Sequence, residues 1–492
     1  MSIVQDPTVS MRRSMKSAAW VGIGNIANSG ISFIVFVVLA RLLSPAEFGV
    51  VAVATVFLDI LAIVARGGLP DAIVQKHDLD EQYADTAFWV STGVGVLCCL
   101  IMLVASYPIA LIFRMPQLRE VLEVLSVAFV IGGLGGIHEG RLQRSFGFKS
   151  LSIRGLVANL VSGGIALWLA FEGYGVWSLV VQRLLSSLAI LIITWVAFPW
   201  IPRTRFNKVY AKEQLAFGSK VFGTNLLLVL NNRVHELIAA LFLTAADVGY
   251  MRASWRCIDM VAQLAVIPLT SVALPTFARL QHERGKLETA YLHFIGISST
   301  IAFPAMIGLA AIAPTLLPAM FGEKWQPAVP VLQILCLLAP PFVTNSFMWP
   351  ALVAVNRTRQ GLMFTIAQFL IGVTLSFIAA PFGVIYIAMS HLVRAFAVWP
   401  IGLGIMARYV HVSVARTLKT VAMPLAAALA MAAATILLQS LLAGRLPSIP
   451  TAAILIAAGG IVYLVLTVVF APEILRQIKT ELLTLVLRRQ AE

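Results

Sequence analysis

Long apolar runs separated by short polar intervals set the pattern of this chain from residue 18 to residue 471. A run of about twenty apolar residues, wound as a helix, crosses a hydrocarbon layer of roughly 30 Å. Fourteen such runs are read at 18–40, 46–65, 87–112, 121–137, 153–171, 176–198, 217–243, 249–273, 290–312, 328–349, 362–380, 384–406, 420–441 and 451–471. The fold they predict is an all-α polytopic membrane protein. An even number of crossings places both chain ends on one side. After Pro472 the segment PEILRQIKTELLTLVLRRQ repeats Leu475, Ile478, Leu482 and Leu485 between basic residues, the spacing of an amphipathic helix lying on a membrane surface. Asp71 to Asp85, with both signs of charge, is expected to form another.

Composition agrees: of 492 residues 60% are hydrophobic and 12% charged, with a mean hydropathy of +0.91. The net charge of +14 raises the question of a nucleic-acid partner, which the placement of the 36 Lys and Arg answers. Loops opposite the N-terminal side hold Arg41, Arg114, Arg119, Lys324 and Arg445; Arg183, Arg233, Arg252, Arg256 and Arg394 fall within spans; the rest lie on the N-terminal side. The positive-inside rule therefore puts both termini in the cytoplasm, and no nucleic acid is expected. The first run follows Arg12, Arg13 and Lys16 but is too long for a signal-peptide core, so an uncleaved helix is expected. Cys98, Cys99, Cys257 and Cys336 all lie in spans, two of them adjacent, a spacing that suits neither a disulfide framework nor a metal. Phosphate-cradling Gly-rich loops, paired-His metal motifs and nucleophile elbows are missing from the sequence, so neither a cofactor nor enzymatic activity is expected.

The chain also matches itself. At an offset of 200, ARLLSPAEFG (Ala40 to Gly49) aligns without a gap with ALFLTAADVG (Ala240 to Gly249), Ala40, Leu43, Ala46 and Gly49 meeting identical residues. In that register Ser44 meets Thr244, Glu47 meets Asp247, Asn25 meets Asn225 and Asp59 meets Asp259. At offset 208, Tyr174 to Val176 falls on Phe382 to Val384. The repeats divide the chain into an N-terminal lobe of six helices (1–200), a second lobe of six (201–410), two further helices (411–471) and a cytoplasmic tail (472–492). Paired helical repeats suggest a transporter that rocks about a site between them.

Charge within the spans points to that site. The seventh run contains LNNRVHELIAA (Leu230 to Ala240), where the first run has only apolar residues in the matching register. At about 100° per residue, Asn225, Asn232, Arg233 and Glu236 share an arc of roughly 100°, with Asn231 and His235 nearly opposite. In the eighth run Arg252, Arg256, Asp259 and Gln263 share about 60°. Arg183 and Arg394 have no acidic residue within a turn of their own helices. Each lies roughly 12–16 Å from the outer face, a depth like that of Arg233 and Arg256. Ionised groups at such depth face a bundle interior or an aqueous cavity, and guanidinium groups gathered at one level suit an anionic ligand, above all a phosphate. The expected ligand residues are Arg183, Arg233, Arg256, Arg394, Arg252 and Asn232; Glu236, Asp259, Asp59 and His235 are the candidates for coupling transport to an ion. Blander alternatives stay open. The spacing of Arg233 with Glu236 and of Arg256 with Asp259 also fits intrahelical pairs, His235 also fits a buried structural histidine, and Arg252 also fits a side chain snorkelling to the surface.

The succession RLLSPAEFGVVAVA, GRLQRSFGFK (Gly140 to Lys149), LTAADVGYMRA and FGEKWQPAVPVLQIL (Phe321 to Leu335) resembles the polysaccharide transporter family, the fourteen-helix Wzx-type flippases of the multidrug, oligosaccharidyl-lipid and polysaccharide (MOP) superfamily. What the resemblance implies is a two-lobed bundle with a cationic cavity, turning an undecaprenyl-diphosphate-linked oligosaccharide across the bacterial inner membrane for exopolysaccharide, capsule or lipopolysaccharide assembly. Membrane lipids, a proton or sodium gradient and a polysaccharide polymerase are its expected partners. VGYMRA stands where the family's Tyr-rich LGYYxxA segment is expected, placing Arg252 at a position where a neutral residue is common. The main alternative, a MATE-type drug or cation antiporter, calls for an acid-rich cavity, whereas Arg outnumbers acid in these spans. A membrane glycosyltransferase, ligase or polymerase calls for a sizeable outer domain, and the longest outer loop expected here, Ala313 to Pro327, is short.

Overall fold

A computed structural model of the chain describes residues 24, 27–76, 78–145, 148–442 and 445–470. Among the described residues, ten helices are long and apolar enough to cross a membrane, and twelve if each of two bent pairs is one span. Two more of the expected runs are helical without meeting that test. The first is described over Ala27–Leu42 (α1), and the seventh is a 35-residue helix, Lys208–Phe242 (α9), whose polar and charged residues set it apart. Among the described residues, the parts of the fourteen expected runs are largely helical. The chain is a multi-pass membrane protein. The expected surface helix after Pro472 and Asn25 of the repeat lie outside the described residues.

The chain packs as two units, Met1–Arg252 and Ala253–Glu492. The first holds α1, α2 (Pro45–Arg66), α3 (Leu69–Gln75), α4 (Glu81–Ile112), α5 (Pro116–Leu125), α6 (Val127–Arg144), α7 (Phe148–Phe171), α8 (Val176–Ala197), α9 and the opening turns of α10 (Ala245–Ala265). α2 begins on a capping box in which Ser44 and Glu47 satisfy each other's backbone amides, with Pro45 in the first turn, where a missing N–H costs nothing. It stops at Gly67, whose left-handed φ of 52° suits glycine. The expected surface helix over Asp71 to Asp85 is instead the seven-residue α3 followed by the first turns of α4, because Pro70 starts a new helix and Glu81 opens the next span. The fourth run is divided: α5 ends and α6 begins at Ser126, whose hydroxyl turns back to the Glu123 carbonyl at 2.6 Å. α6 crosses α4 closely because Gly95 and Gly133 present bare backbone to each other's helices; a Cβ at Gly95 would lie 2.6 Å from the Phe129 carbonyl oxygen. One side of α4 exposes Leu97, Ile101, Val104 and Leu111 while Cys98, Met102, Ser106 and Ala110 are buried, an apolar face turned to lipid rather than to water. α9 packs against α2, α3 and α4.

In the second unit α10 continues and bends by 46° into α11 (Ile267–Leu280), where Pro268 cannot donate the helical hydrogen bond. α12 (Arg284–Phe321) packs against α18 (Val414–Leu442) and α19 (Ser448–Phe470). It runs through Pro304, Pro314 and Pro318, so the outer loop expected over Ala313 to Pro327 shrinks to the stretch after Phe321, itself part helical at Glu323–Trp325. The tenth run is bent by 52° between α13 (Ala328–Cys336) and the pair α14 (Ala339–Ser346) and α15 (Met348–Ala354), with Pro340 and Pro341 at the break. α16 (Thr358–Ala379) packs on α17 (Val384–Ile405), and α13 and α14 also meet α17.

Candidate functional site

Five of the charged residues singled out in the sequence meet inside the first unit. Arg183 of α8 donates from Nη2 to Asp59 Oδ1 of α2 at 3.0 Å. The other oxygen of that carboxylate, Oδ2, lies 3.2 Å from Arg233 Nη2 on α9. Arg233 uses its remaining arm, Nη1, to reach Glu236 Oε1 one turn along the same helix at 3.2 Å, and Arg252 Nη1 of α10 meets that same oxygen at 3.3 Å. The result is an alternating chain, Arg183, Asp59, Arg233, Glu236, Arg252, drawn from four helices. Three cations face two anions, so the cluster carries a formal charge of +1.

These residues meet well inside their helices. Asp59 is fourteen residues beyond Pro45, the first of α2, Arg183 seven beyond Val176, Arg252 seven beyond Ala245 and Glu236 six short of Phe242. At 1.5 Å per residue they lie roughly 9–21 Å along their helices, a range that includes half the thickness of a hydrocarbon layer. Burial is deepest at Glu236 and least at Arg183. The Glu236 side chain is 4% exposed, Arg233, Arg252 and Asp59 between 21% and 25%, and Arg183 44%. Glu236 is also the less completely satisfied acid: both guanidinium contacts converge on Oε1, while its buried Oε2 has no hydrogen-bond partner among the described residues.

The end of the unit above this cluster is built from the sequence repeats. Ser44 and Glu47 cap α2, and Thr244 and Asp247 cap α10 in the same way, with Thr244 Oγ1 donating to Asp247 Oδ2 at 2.6 Å and the Asp247 amide donating back to Oγ1 at 3.3 Å. Five residues past each cap stands the glycine shared by the repeat. A Cβ on Gly49 would overlap the Ala245 carbonyl oxygen, and a Cβ on Gly249 would overlap that of Pro45. These reciprocal contacts bring the α2 and α10 backbones together and hold Asp59 and Arg252 in reach of α9. The second repeat match is a matched pair of helix starts, since Gly175 and Gly383 precede α8 and α17 with φ of 56° and 116°.

Of the other expected site residues, Asn232 is exposed and His235 is buried on α9. Arg256 and Asp259 stand half-buried on α10 with Gln263, while Met251, Ser254, Ile258 and Ala262 on the same helix are buried. Within the second unit, Trp255 beside Arg256 packs edge-on against His391 of α17 at 5.4 Å between ring centroids, and Arg394 follows His391 by one turn.

A second polar cluster escaped the sequence reading. The linker from α8 to α9 is strapped onto one face of α4: Trp200 Nε1 donates to Glu81 at 2.9 Å, the Arg203 amide to Asp85 at 2.9 Å, the Asn207 amide to Thr86 at 3.1 Å, and Trp89 Nε1 to the Arg203 carbonyl at 3.0 Å. Arg141 forks onto Glu81 and lies over the Trp200 ring at 4.6 Å, and buried His138 stacks on Trp195 at 4.3 Å. The signal available was the spacing 81, 85, 86, 89, polar or aromatic along one face of the first turns of an otherwise apolar span.

A family model described as polysaccharide biosynthesis protein matches residues 38–330. Among curated proteins, the succinoglycan biosynthesis transport protein ExoT of Rhizobium meliloti (strain 1021) is 26% identical over 333 residues, covering 67% of each chain. The lipopolysaccharide biosynthesis protein WzxC of Escherichia coli (strain K12) is 24% identical over 333 residues, 66% of this chain and 67% of that one. Among solved structures, the lipid II flippase MurJ in an inward closed conformation superposes with a TM-score of 0.75 at 14% identity over 94% of this chain and 100% of that one. An inward-facing MATE family transporter of the MOP superfamily gives 0.61 at 18% identity over 76% and 92%. The structural likenesses establish the transporter fold, and the sequence match establishes the family: the chain belongs to the polysaccharide biosynthesis proteins, and its curated relatives are named for succinoglycan transport and for lipopolysaccharide biosynthesis.

Proposed function

We propose that the protein is a flippase that carries undecaprenyl-diphosphate-linked oligosaccharide units across the bacterial inner membrane, with both termini in the cytoplasm. The observation that carries this reading is the arginine-rich cluster of the first unit. Its guanidinium groups stand at mid-membrane depth, where a charged side chain costs roughly 2.5–3.5 kcal/mol on insertion scales unless it is compensated. Guanidinium presents paired donors that match phosphate oxygens, so three of them in one cluster suit a diphosphate whose prenyl tail remains in lipid. The names of the relatives agree with a polysaccharide precursor as cargo. A MATE-type drug antiporter, whose cationic cargo needs a surplus of acid, is disfavoured by the charge of +1 within this cluster. On this reading the protein performs no covalent chemistry, and Asp59, Glu236, Asp259 and His235 are the groups through which a proton or sodium gradient acts.

The test is a strain lacking the gene. Lipid-linked oligosaccharide should accumulate on the cytoplasmic face of the inner membrane and surface polysaccharide should vanish. Normal appearance of the precursor on the outer leaflet would show that another activity moves it.

A further inference from the structure

Asp59 and Glu236 occupy four of the six Nη nitrogens that the three arginines of the cluster offer a diphosphate. Every guanidinium of the cluster spends at least one Nη on a carboxylate, Arg233 spends both, and neither acid is placed to leave Arg233 alone. We infer that the two carboxylates are built-in competitors of the substrate and set its specificity, so that only an anion with two linked phosphoryl groups displaces both. This inference rests on the reading of the cluster as the diphosphate site.

The chemistry favours exchange over simple addition. A diphosphate esterified at both ends carries two negative charges on adjacent phosphoryl groups, matching in number the two carboxylates that the arginines now hold. One phosphoryl group would take the place of Asp59 between Arg183 and Arg233, and the other that of Glu236 between Arg233 and Arg252, so the count of charge-assisted hydrogen bonds is kept. An anion with one phosphoryl group replaces one carboxylate and leaves the other holding Arg233. Glu236 is the acid that yields first, because one of its oxygens is buried with no hydrogen-bond partner among the described residues, whereas both oxygens of Asp59 are engaged. Selectivity then comes from the acids as much as from the arginines, as expected where specificity is built by opposing the wrong ligand.

The experiment measures binding of an undecaprenyl diphosphate sugar and an undecaprenyl monophosphate sugar, diesters with two charges and one, to the full chain in lipid nanodiscs, for the wild type and for Asp59→Asn, Glu236→Gln, Arg183→Ala and Arg233→Ala. Competition predicts that Asp59→Asn and Glu236→Gln bind the monophosphate roughly tenfold tighter, a shift of about 1.4 kcal/mol, with a smaller gain for the diphosphate, so that the preference between them narrows. Both isosteric variants keep a hydrogen-bond acceptor for the arginines, and a thermal melt of each sample checks that the fold is retained. Weaker or unchanged binding of both lipids by folded Asp59→Asn and Glu236→Gln, with Arg183→Ala and Arg233→Ala defective, overturns the competitor role and leaves the diphosphate site standing. Normal binding by both arginine variants overturns the site and the inference together.

Discussion

Arg233 is the residue through which the cluster is connected, and its geometry separates it from its neighbours. It bridges acids on two helices with two different nitrogens, whereas Arg252 reaches one oxygen with one nitrogen. A lysine at 233 has a single point of donation and cannot span Asp59 and Glu236, but a lysine at 252 retains its one contact. Arg233→Lys should therefore cut surface polysaccharide in a deletion strain by roughly tenfold at matched protein level, and Arg252→Lys by no more than about twofold. Equal tolerance of both would mean that the bridge is idle. The sequence already placed Arg233 and Glu236 on one arc and at i,i+3 spacing, and their contact follows from that. It did not contain the partner of Arg183, because Asp59 lies on another helix 124 positions away and only packing brings them together.

Among the elements, the N-terminal turns of α2 and α10 fix the site. The offset of 200 was legible because the capping boxes and glycines are local chemistry repeated in order; the backbone crossing they make was not, since glycine at a close approach looks in sequence like glycine anywhere. Gly49→Ala or Gly249→Ala forces a Cβ into a carbonyl oxygen, so each should lower the melting midpoint in detergent, by about 1–2 °C for each kcal/mol lost. Gly93→Ala, with open space around its Cβ position and a helix to strengthen, should be neutral or stabilising. A melting order with Gly93→Ala lowest would contradict the crossing. The strap on α4 makes a separate prediction. Asp85→Ala removes the acceptor of the Arg203 amide, so trypsin should cut after Arg203 or Arg205 roughly tenfold faster than in the wild type, the effect of losing one charge-assisted hydrogen bond on local opening. An unchanged cleavage rate would show that the other contacts hold the linker alone.

For the whole molecule, run length and polarity were enough to find the helices, including the bent pairs, because prolines at 268, 340 and 341 interrupt spans without ending their apolar character. The seventh helix was recognisable for the opposite reason: LNNRVHELIAA breaks the apolar rule of its surroundings, and five charges drawn from α2, α8, α9 and α10 explain why. The proposed orientation rests on where Lys and Arg fall, and it predicts that a phosphatase fused after Glu492 is silent and one inserted at Arg445 active. Activity at Glu492 would reverse the proposed topology. The central claim, that the arginine cluster moves a diphosphate-linked sugar between leaflets, is tested most directly by reconstituting the purified protein in liposomes. A fluorescent oligosaccharide diphosphate lipid is added, and the fraction that a membrane-impermeant quencher fails to reach is followed with time. Wild-type protein should equilibrate the lipid between leaflets far faster than protein-free liposomes, while Arg183→Ala and Arg233→Ala should be close to the protein-free rate. Equilibration by the alanine variants at the wild-type rate would contradict the claim.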